Sequence, residues 1–372
     1  LTANSRVGYA VLDDVMIAGD GTAATRHTTS GTNFTNTTSA PLAEHFTEYQ
    51  GRIWAARGTA VSGTNTDMFY STTGTLTDWT TDSSSIRIPG PGRINSLFKA
   101  GDRVVATKDS GLMYRYDGFS LRDLTTNWGP SSPYSIGNTE DFRIYLNRYG
   151  YFGYGGGKPE VLSNVIQRQI YNNLGSGIAG TTFDNAPGIA FRYNYFCSVG
   201  TITDDLINET IPDAIHKYDF QLDEWVNWQF ANRPTSFGSF QDTSGNEQLI
   251  FGDSNGQAYQ LAGTATSDNG NAIEVQLMGF IHGGNLDDKK WNWIIGMFNP
   301  GCHAKIQIAL SDTFTPRTLK WKDVGGANDG VVSYRFPSGS IGKFCFWKVY
   351  ESSISTPFQC YGFQFDAETI NK

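Results

Sequence analysis

Five pairs of neighbouring carboxylates, Asp13-Asp14, Glu140-Asp141, Asp204-Asp205, Asp223-Glu224 and Asp287-Asp288, are the residues with which this chain could most simply run acid and base chemistry. Neighbours on a strand point to opposite faces, so no pair converges on one bond, and all five read as solvated turn charge. The five histidines, His27, His45, His216, His282 and His303, are scattered, with no H-x-x-x-H metal pair and no Gly-x-Ser-x-Gly elbow in the chain. A triad assembled from distant segments is compatible with the sequence, and nothing in it points to one. The four cysteines, Cys197, Cys302, Cys345 and Cys360, form no C-x-x-C pair and read as free thiols. Cys345 lies in the apolar run Phe344-Cys345-Phe346-Trp347 and is expected to be buried in a strand. Cys302-His303 offers two adjacent ligands, but no second pair stands at zinc spacing. Asp253-Ser254-Asn255-Gly256 opens like a calcium loop, yet Thr264 stands where a bidentate Glu is needed, so a type I′ hairpin turn at Asn255-Gly256 is expected. Gly19-Asp20-Gly21 and Gly175-Ser176-Gly177 lack a strand-to-helix setting, no Gly-Lys-Ser/Thr closes a P-loop, and both read as turns. The expectation is therefore no enzyme, with no catalytic, cofactor-binding or metal-binding residues and no cofactor.

Two further patterns bear on carbohydrates. Ser71 to Trp79 is similar to the Asp-box turn of sialidases, with Thr73 in place of the Asp and two extra residues before Trp79. Sialidases carry several such boxes and a three-arginine cluster; one degenerate box reads as a turn without the chemistry. Trp128, Tyr149, Tyr151, Phe152 and Tyr154 lie near glycines, where they would form either a sugar-stacking platform or a core.

The elements that would position these residues follow from composition and period. Of 372 residues only 17% are charged, against 42 glycines and 14% aromatics, which favours strands and turns over disorder or coiled coil. A net charge of -8 and the absence of any basic run exclude a broad, sequence-independent grip on nucleic acid. The apolar stretches are far too short for a membrane-spanning helix, so no membrane insertion is expected. The chain opens at Leu1 with no charged n-region or apolar h-region, so neither a start Met nor a signal peptide is visible.

Between residues 88 and 126 four short strands alternate with tight turns: Ile94 to Phe98, Arg103 to Thr107, Leu112 to Tyr116 and Phe119 to Leu124. The glycines of Asp117-Gly118 and Ser110-Gly111 supply the positive φ such turns need. The same grammar marks units at 1–42, 43–87, 88–129, 130–178, 179–232 and 233–262, about 44 residues each, the length of a four-stranded propeller blade. A meander cannot bury both its faces, so blades stack around a channel. Residues 1–262 are thus expected to form a β-propeller, six blades favoured. The sixth unit shows three strands, and Ile273 to Gly279 is expected to complete it in preference to Leu1 to Val7. Residues 161 to 173 are the best helix candidate and equally suit an outer strand. From about residue 263 longer strands predict a C-terminal β-sandwich-like domain over 263–372, with Trp291 and Trp293 on one face in its core.

Several segments carry a family resemblance: Gly51-Arg52-Ile53-Trp54-Ala55, Met68-Phe69-Tyr70-Ser71 with Leu76-Thr77-Asp78-Trp79, Gly92 to Leu97, Arg103 to Lys108 and Leu112 to Gly118, then Asp268 to Ile273 with Lys290-Trp291. In these the chain resembles the β-propeller virion proteins of tailed bacteriophages, the tail nozzle and tail hub type. The resemblance implies a structural virion protein of the phage tail, without catalytic residues, forming a ring with copies of itself around the DNA exit channel. A hexamer is favoured, with other tail proteins as neighbours and DNA passing without specific binding. An acidic wall without basic patches would not hold the passing phosphates. The alternatives are a glycan-binding adhesin at the tail tip and, third, a propeller glycan hydrolase.

Overall fold

Short apolar runs separated by left-handed turn residues fold into successive antiparallel meanders. The computed structural model describes residues 5–56, 65–81, 83–125, 127–139, 142–170, 183–204, 209–261, 267–268, 271–272, 275–281, 287–301, 303–313, 319–326, 330–351 and 360–370. Sheet 1 comprises Gly8–Leu12, Val15–Gly19, Arg26–Thr28 and Thr35–Asn36, and sheet 2 His45–Tyr49, Arg52–Ala56, Asp67–Tyr70 and Ser84–Arg87. Sheet 3 comprises Ile94–Lys99, Val104–Lys108, Met113–Tyr116 and Leu121–Thr125. Sheet 4 comprises Gly137–Asn138, Arg143–Asn147, Gly150–Tyr154 and Glu160–Val161, and sheet 5 Gly188–Phe191, Asn194–Asp204, Glu209–Asp219 and Glu224–Gln229. Sheet 6 has three strands, Ser236–Gln241, Glu247–Gly252 and Ala258–Leu261. In each sheet the strands pair in chain order, the pattern of a propeller blade.

Turn chemistry explains the sharp returns. Asp13 and Asp14 (φ 48 and 62°) join Leu12 to its partner Val15, and Gln50-Gly51 (φ 52 and 66°) join Tyr49 to Arg52, both two-residue turns with positive φ at each centre. The expected type I′ turn at Asn255-Gly256 is different. Only Gly256 is left-handed (φ 79°), and the Gly256 amide donates to Asp253 O. This is a three-residue loop ending in a left-handed glycine, because Asp253 Oδ1 accepts from the amides of Asn255 and Gln257 and holds the preceding turn right-handed.

The first strands of consecutive sheets lie beside each other, sheet 1 to 2, 2 to 3, 4 to 5 and 5 to 6. Apolar side chains fill the spaces between sheet faces: Ala10 and Ile17 against Phe46 and Ile53, then Trp54 and Met68 against Ile94 and Val104. Phe98 and Val105 meet Tyr145 and Phe152, Leu146 and Tyr151 meet Tyr195 and Val199, and Phe196 and Ile215 meet Leu249. Among the described residues no such cluster joins sheet 6 to sheet 1, and Tyr9 and Val11 stay exposed on the first strand. The helix candidate divides: Glu160–Val161 is an outer strand, followed by one turn of 3-10 helix and one of α-helix at Gln167–Ile170, with 171–182 outside the described residues.

The proposed completion of sheet 6 by Ile273 to Gly279 does not occur. Val275–Ile281 pairs instead with Phe344–Glu351 over seven positions, where the partner buries Cys345, Phe346 and Val349 and rewards the pairing with apolar contact. Residues 1–4 and 273–274 lie outside the described set, and Ser5 to Val7 form no strand. Two further sheets follow. In one the order is Val275–Ile281, Phe344–Glu351, Lys305–Ser311, Lys322–Gly326; in the other Lys289–Phe298 pairs with Val331–Arg335, Ile341–Gly342 and Cys360–Thr369. Trp291, Ile294 and Phe298 of the second sheet share a core with Ile306, Ile308 and Val349 of the first. Trp293 departs from expectation. A bulge between Trp291 and Trp293 shifts the alternation by one, so Trp291 is buried and Trp293 turns to the opposite face from Ile294.

Candidate functional site

A stack of meanders brings distant residues together where the segments leading into the first strands converge. Arg6, Glu44, Tyr134, Asn185 and Arg233 all stand one to three residues before the first strand of their sheet. Arg6 Nη2 donates to Asn185 O at 2.5 Å, and its guanidinium lies 4.0 Å over the Tyr134 ring. Tyr134 Oη donates to Glu44 Oε1. Arg233 Nε is 3.9 Å from Asp213 Oδ1. One N-terminal side chain thus ties segments of sheets 1, 2, 4 and 5.

The electrostatics are those of a closed knot. Burial lowers the Arg6 pKa, with Tyr134 and Glu44 opposing the shift and Arg233 adding to it. Burial and the bond to Glu44 hold the Tyr134 phenol well above its usual range. Burial likewise lowers His45, against the pull of Glu44. A phenol donating to a carboxylate beside a guanidinium can relay a proton. A nucleophile needs the opposite shift, however, and the Tyr134 ring face is covered by Arg6. The arrangement joins the lead-in segments of several sheets.

Two other places concentrate chemistry. Between sheets 4 and 5, His216 is fully buried with Nδ1 2.9 Å from Tyr151 Oη, and among the described residues Nε2 has no partner. Burial pushes His216 down to about 3 and Cys197 up to about 11. Beside sheet 2 a surface pocket of 430 Å³ is lined by Phe69, Tyr70, Trp79, Ser39 and Ser84. The Asp-box-like turn frames it: Asp78 Oδ1 accepts from the amides of Thr80 and Thr81, and Trp79 Nε1 donates to Leu76 O at 2.8 Å.

The structure disperses the other sequence candidates. Asp13-Asp14 form a hairpin turn, Asp223 accepts from Tyr218, and Lys289 Nζ donates to Asp287 O. Glu140, Asp141 and Asp205 lie outside the described residues, as do His282, Cys302 and Thr264. His27 Nδ1 pairs with Thr37 Oγ1, and the His303 amide donates to Glu351. Cys197, Cys345 and Cys360 are free thiols, the first two buried. Of the five aromatics near glycines, Tyr151, Phe152 and Tyr154 are core and only Tyr149 is well exposed, so they form no platform. Among the described residues no three His, Cys, Asp or Glu side chains gather as metal ligands, and no helix is long and apolar enough to cross a membrane. None of the residues at this convergence was apparent from residue type. The available signal was positional, the same slot before the first strand of each unit.

No protein-family model matches the chain, and neither does any curated protein sequence. Solved structures to which it is similar include BBS1N in complex with ARL6DN (12% identity, 70% of this chain and 78% of that one, TM-score 0.45). The WD40 β-propeller domain of Doa1 matches at 9% identity over 71% of this chain and 95% of its own, TM-score 0.38. The computationally designed Ika8 protein matches at 10% identity over 68% and 69%, TM-score 0.42.

Proposed function

We propose that this protein is a structural, non-catalytic virion subunit of a bacteriophage tail, of the nozzle or hub type, that forms a ring with copies of itself around the DNA path. Six copies are favoured, and the two C-terminal sheets are read as a β-sandwich-like domain contributing to contacts with neighbouring tail proteins. The observation that carries this reading is the bonded convergence of the lead-in segments. Among the described residues, the place where segments from several sheets meet, and where a propeller could assemble a multi-blade active site, holds Arg6, Tyr134 and Glu44 in contact with one another and with Asn185. The segments of the phage resemblance support it from another side, since Trp54, Met68, Ile94, Leu97 and Val104 are core between sheets 2 and 3, and Ile53 is core between sheets 1 and 2, so they specify architecture, not chemistry.

Native mass spectrometry and cryo-EM of the assembled particle test the proposal. A closed ring supports it; a lone monomer in both measurements refutes it. The pocket of 430 Å³, with aromatic walls and serine hydroxyls, favours a second reading as a glycan-binding adhesin. A monomer that binds defined glycans on an array, with binding lost in Trp79→Ala, would put that reading first.

A further inference from the structure

Although the sequence has no basic run, the fold gathers cations at the junction of sheets 3 and 4. Arg103 precedes the second strand of sheet 3 and Arg115 lies on the third. Each directs Nη1 to the same acceptor, Gly156 O, at 3.5 and 3.1 Å, so two guanidiniums are held side by side. Arg115 also stands directly opposite Arg122 on the next strand, a like-charge pair that costs stability when nothing neutralises it. Lys158, close along the chain to Gly156, places its ammonium 4.4 Å over the Trp128 ring.

The compensation within the protein is thin. Among the described residues the ion pair of Arg103 is with its neighbour Asp102 (3.5 Å), whose side chain is 89% exposed. Arg122 donates to Ser120 Oγ at 3.4 Å and lies near Asp117. Among the described residues Arg115 and Lys158 have no carboxylate partner. The glycine loop leaves room beside these cations: Gly156 is left-handed (φ 100°), and a Cβ there would meet only Arg103 Nη1 at 3.9 Å, while one at Gly157 would meet nothing. Tyr154 completes the cluster from below. It is fully buried, and its hydroxyl lies within loose hydrogen-bonding reach of Arg115 and close to Arg103, with no closer partner among the described residues.

We infer that this cluster is a binding site for a tetrahedral oxyanion of the phosphate class, held by Arg103 and Arg115, with Lys158 and Arg122 at the rim and the Tyr154 hydroxyl beneath. Paired guanidinium forks match such an anion, and its charge offsets the repulsion between Arg115 and Arg122. Free phosphate and the phosphodiester of a DNA backbone share this chemistry. The site does not depend on ring assembly, so a failed ring leaves it standing.

The test uses the full chain in chloride buffer. Thermal melting is followed with added inorganic phosphate, and binding of a labelled duplex oligonucleotide is measured over a salt series. Phosphate should raise the wild-type melting temperature with dose. In Arg115→Gln the apparent affinity should fall at least tenfold, while melting without phosphate stays unchanged or rises as the like-charge contact is relieved. Lys158→Gln, at an exposed position, should weaken binding several-fold with the fold intact, which keeps the test decisive if Arg115→Gln misfolds. Oligonucleotide binding that falls with salt and is lost in these variants identifies DNA as the source; phosphate binding alone identifies the free ion. No effect of phosphate and no DNA binding, or binding equal in wild type and both variants, overturns the inference.

Discussion

Between pH 8 and pH 5 this protein should lose stability through His216. The imidazole is fully buried between sheets 4 and 5, with Tyr151, Cys197 and Trp225 about it, and no carboxylate pairs with it among the described residues. Burial holds its pKa at about 3, against an ordinary value of 6.5. The unfolded chain therefore takes up a proton below pH 6.5 that the folded chain refuses, so stability is full above that pH and falls as pH drops towards the folded value. At about 1.4 kcal/mol per pKa unit the loss is about 2 kcal/mol at pH 5 and approaches about 5 kcal/mol near pH 3. His45, also lowered by burial, adds to the loss in the same direction. Carboxylates held low by turn hydrogen bonds, such as Asp117 at about 2, contribute only below about pH 4, so the window from 8 to 5 isolates the histidines. Urea titrations followed by tryptophan fluorescence at both pH values, for wild type and His216→Gln, measure the difference directly. Gln keeps a polar partner for Tyr151 without the titration, so its pH dependence should be about 2 kcal/mol smaller than that of wild type. Equal pH dependence in the two proteins would refute the reasoning, whatever their absolute stabilities.

Arg6→Met should destabilise the propeller by about 2 kcal/mol, the worth of a charge-assisted bond to Asn185 O, and hydrogen exchange should rise first around residues 185–188. Gly137→Ala should cost at least about 2 kcal/mol, because a Cβ would sit 2.8 Å from Ala190 N and from the Tyr195 ring, where sheets 4 and 5 meet at their first strands; chemical denaturation measures it. Ser39→Gly should stabilise by about 0.5 kcal/mol by relieving a left-handed backbone (φ 61°), seen as a small rise in melting temperature. Purified protein should show no turnover of sialosides, glycans or peptidoglycan above blank; turnover abolished by Glu44→Gln would reverse the reading of this convergence as structural.

The sequence by itself was enough to determine the all-β character, the repeated meanders and most of their turns. These rest on local physics: period-two alternation, and glycine and aspartate at positions where the backbone must turn left-handed, as at Asp13-Asp14 and Gly118. Their consequences extend only a few residues, so they can be read from the chain. What lay beyond it depended on which sheet faces meet. The bulge at Asn292 that separates Trp293 from Trp291, and the choice of Phe344–Glu351 as partner for Val275–Ile281, follow from cores shared by strands far apart in the chain. The same holds for each chemical cluster. Arg6 reaches Asn185 across 179 positions, and Arg115 reaches Gly156 across 41. His216 has no unusual neighbour in sequence, and only the packing of sheet 4 on sheet 5 removes it from water. Burial and charge proximity are properties of packed surfaces, and a one-dimensional pattern carries them only where the period of the fold brings the same slot to the same place, as it does for the segments before the first strands.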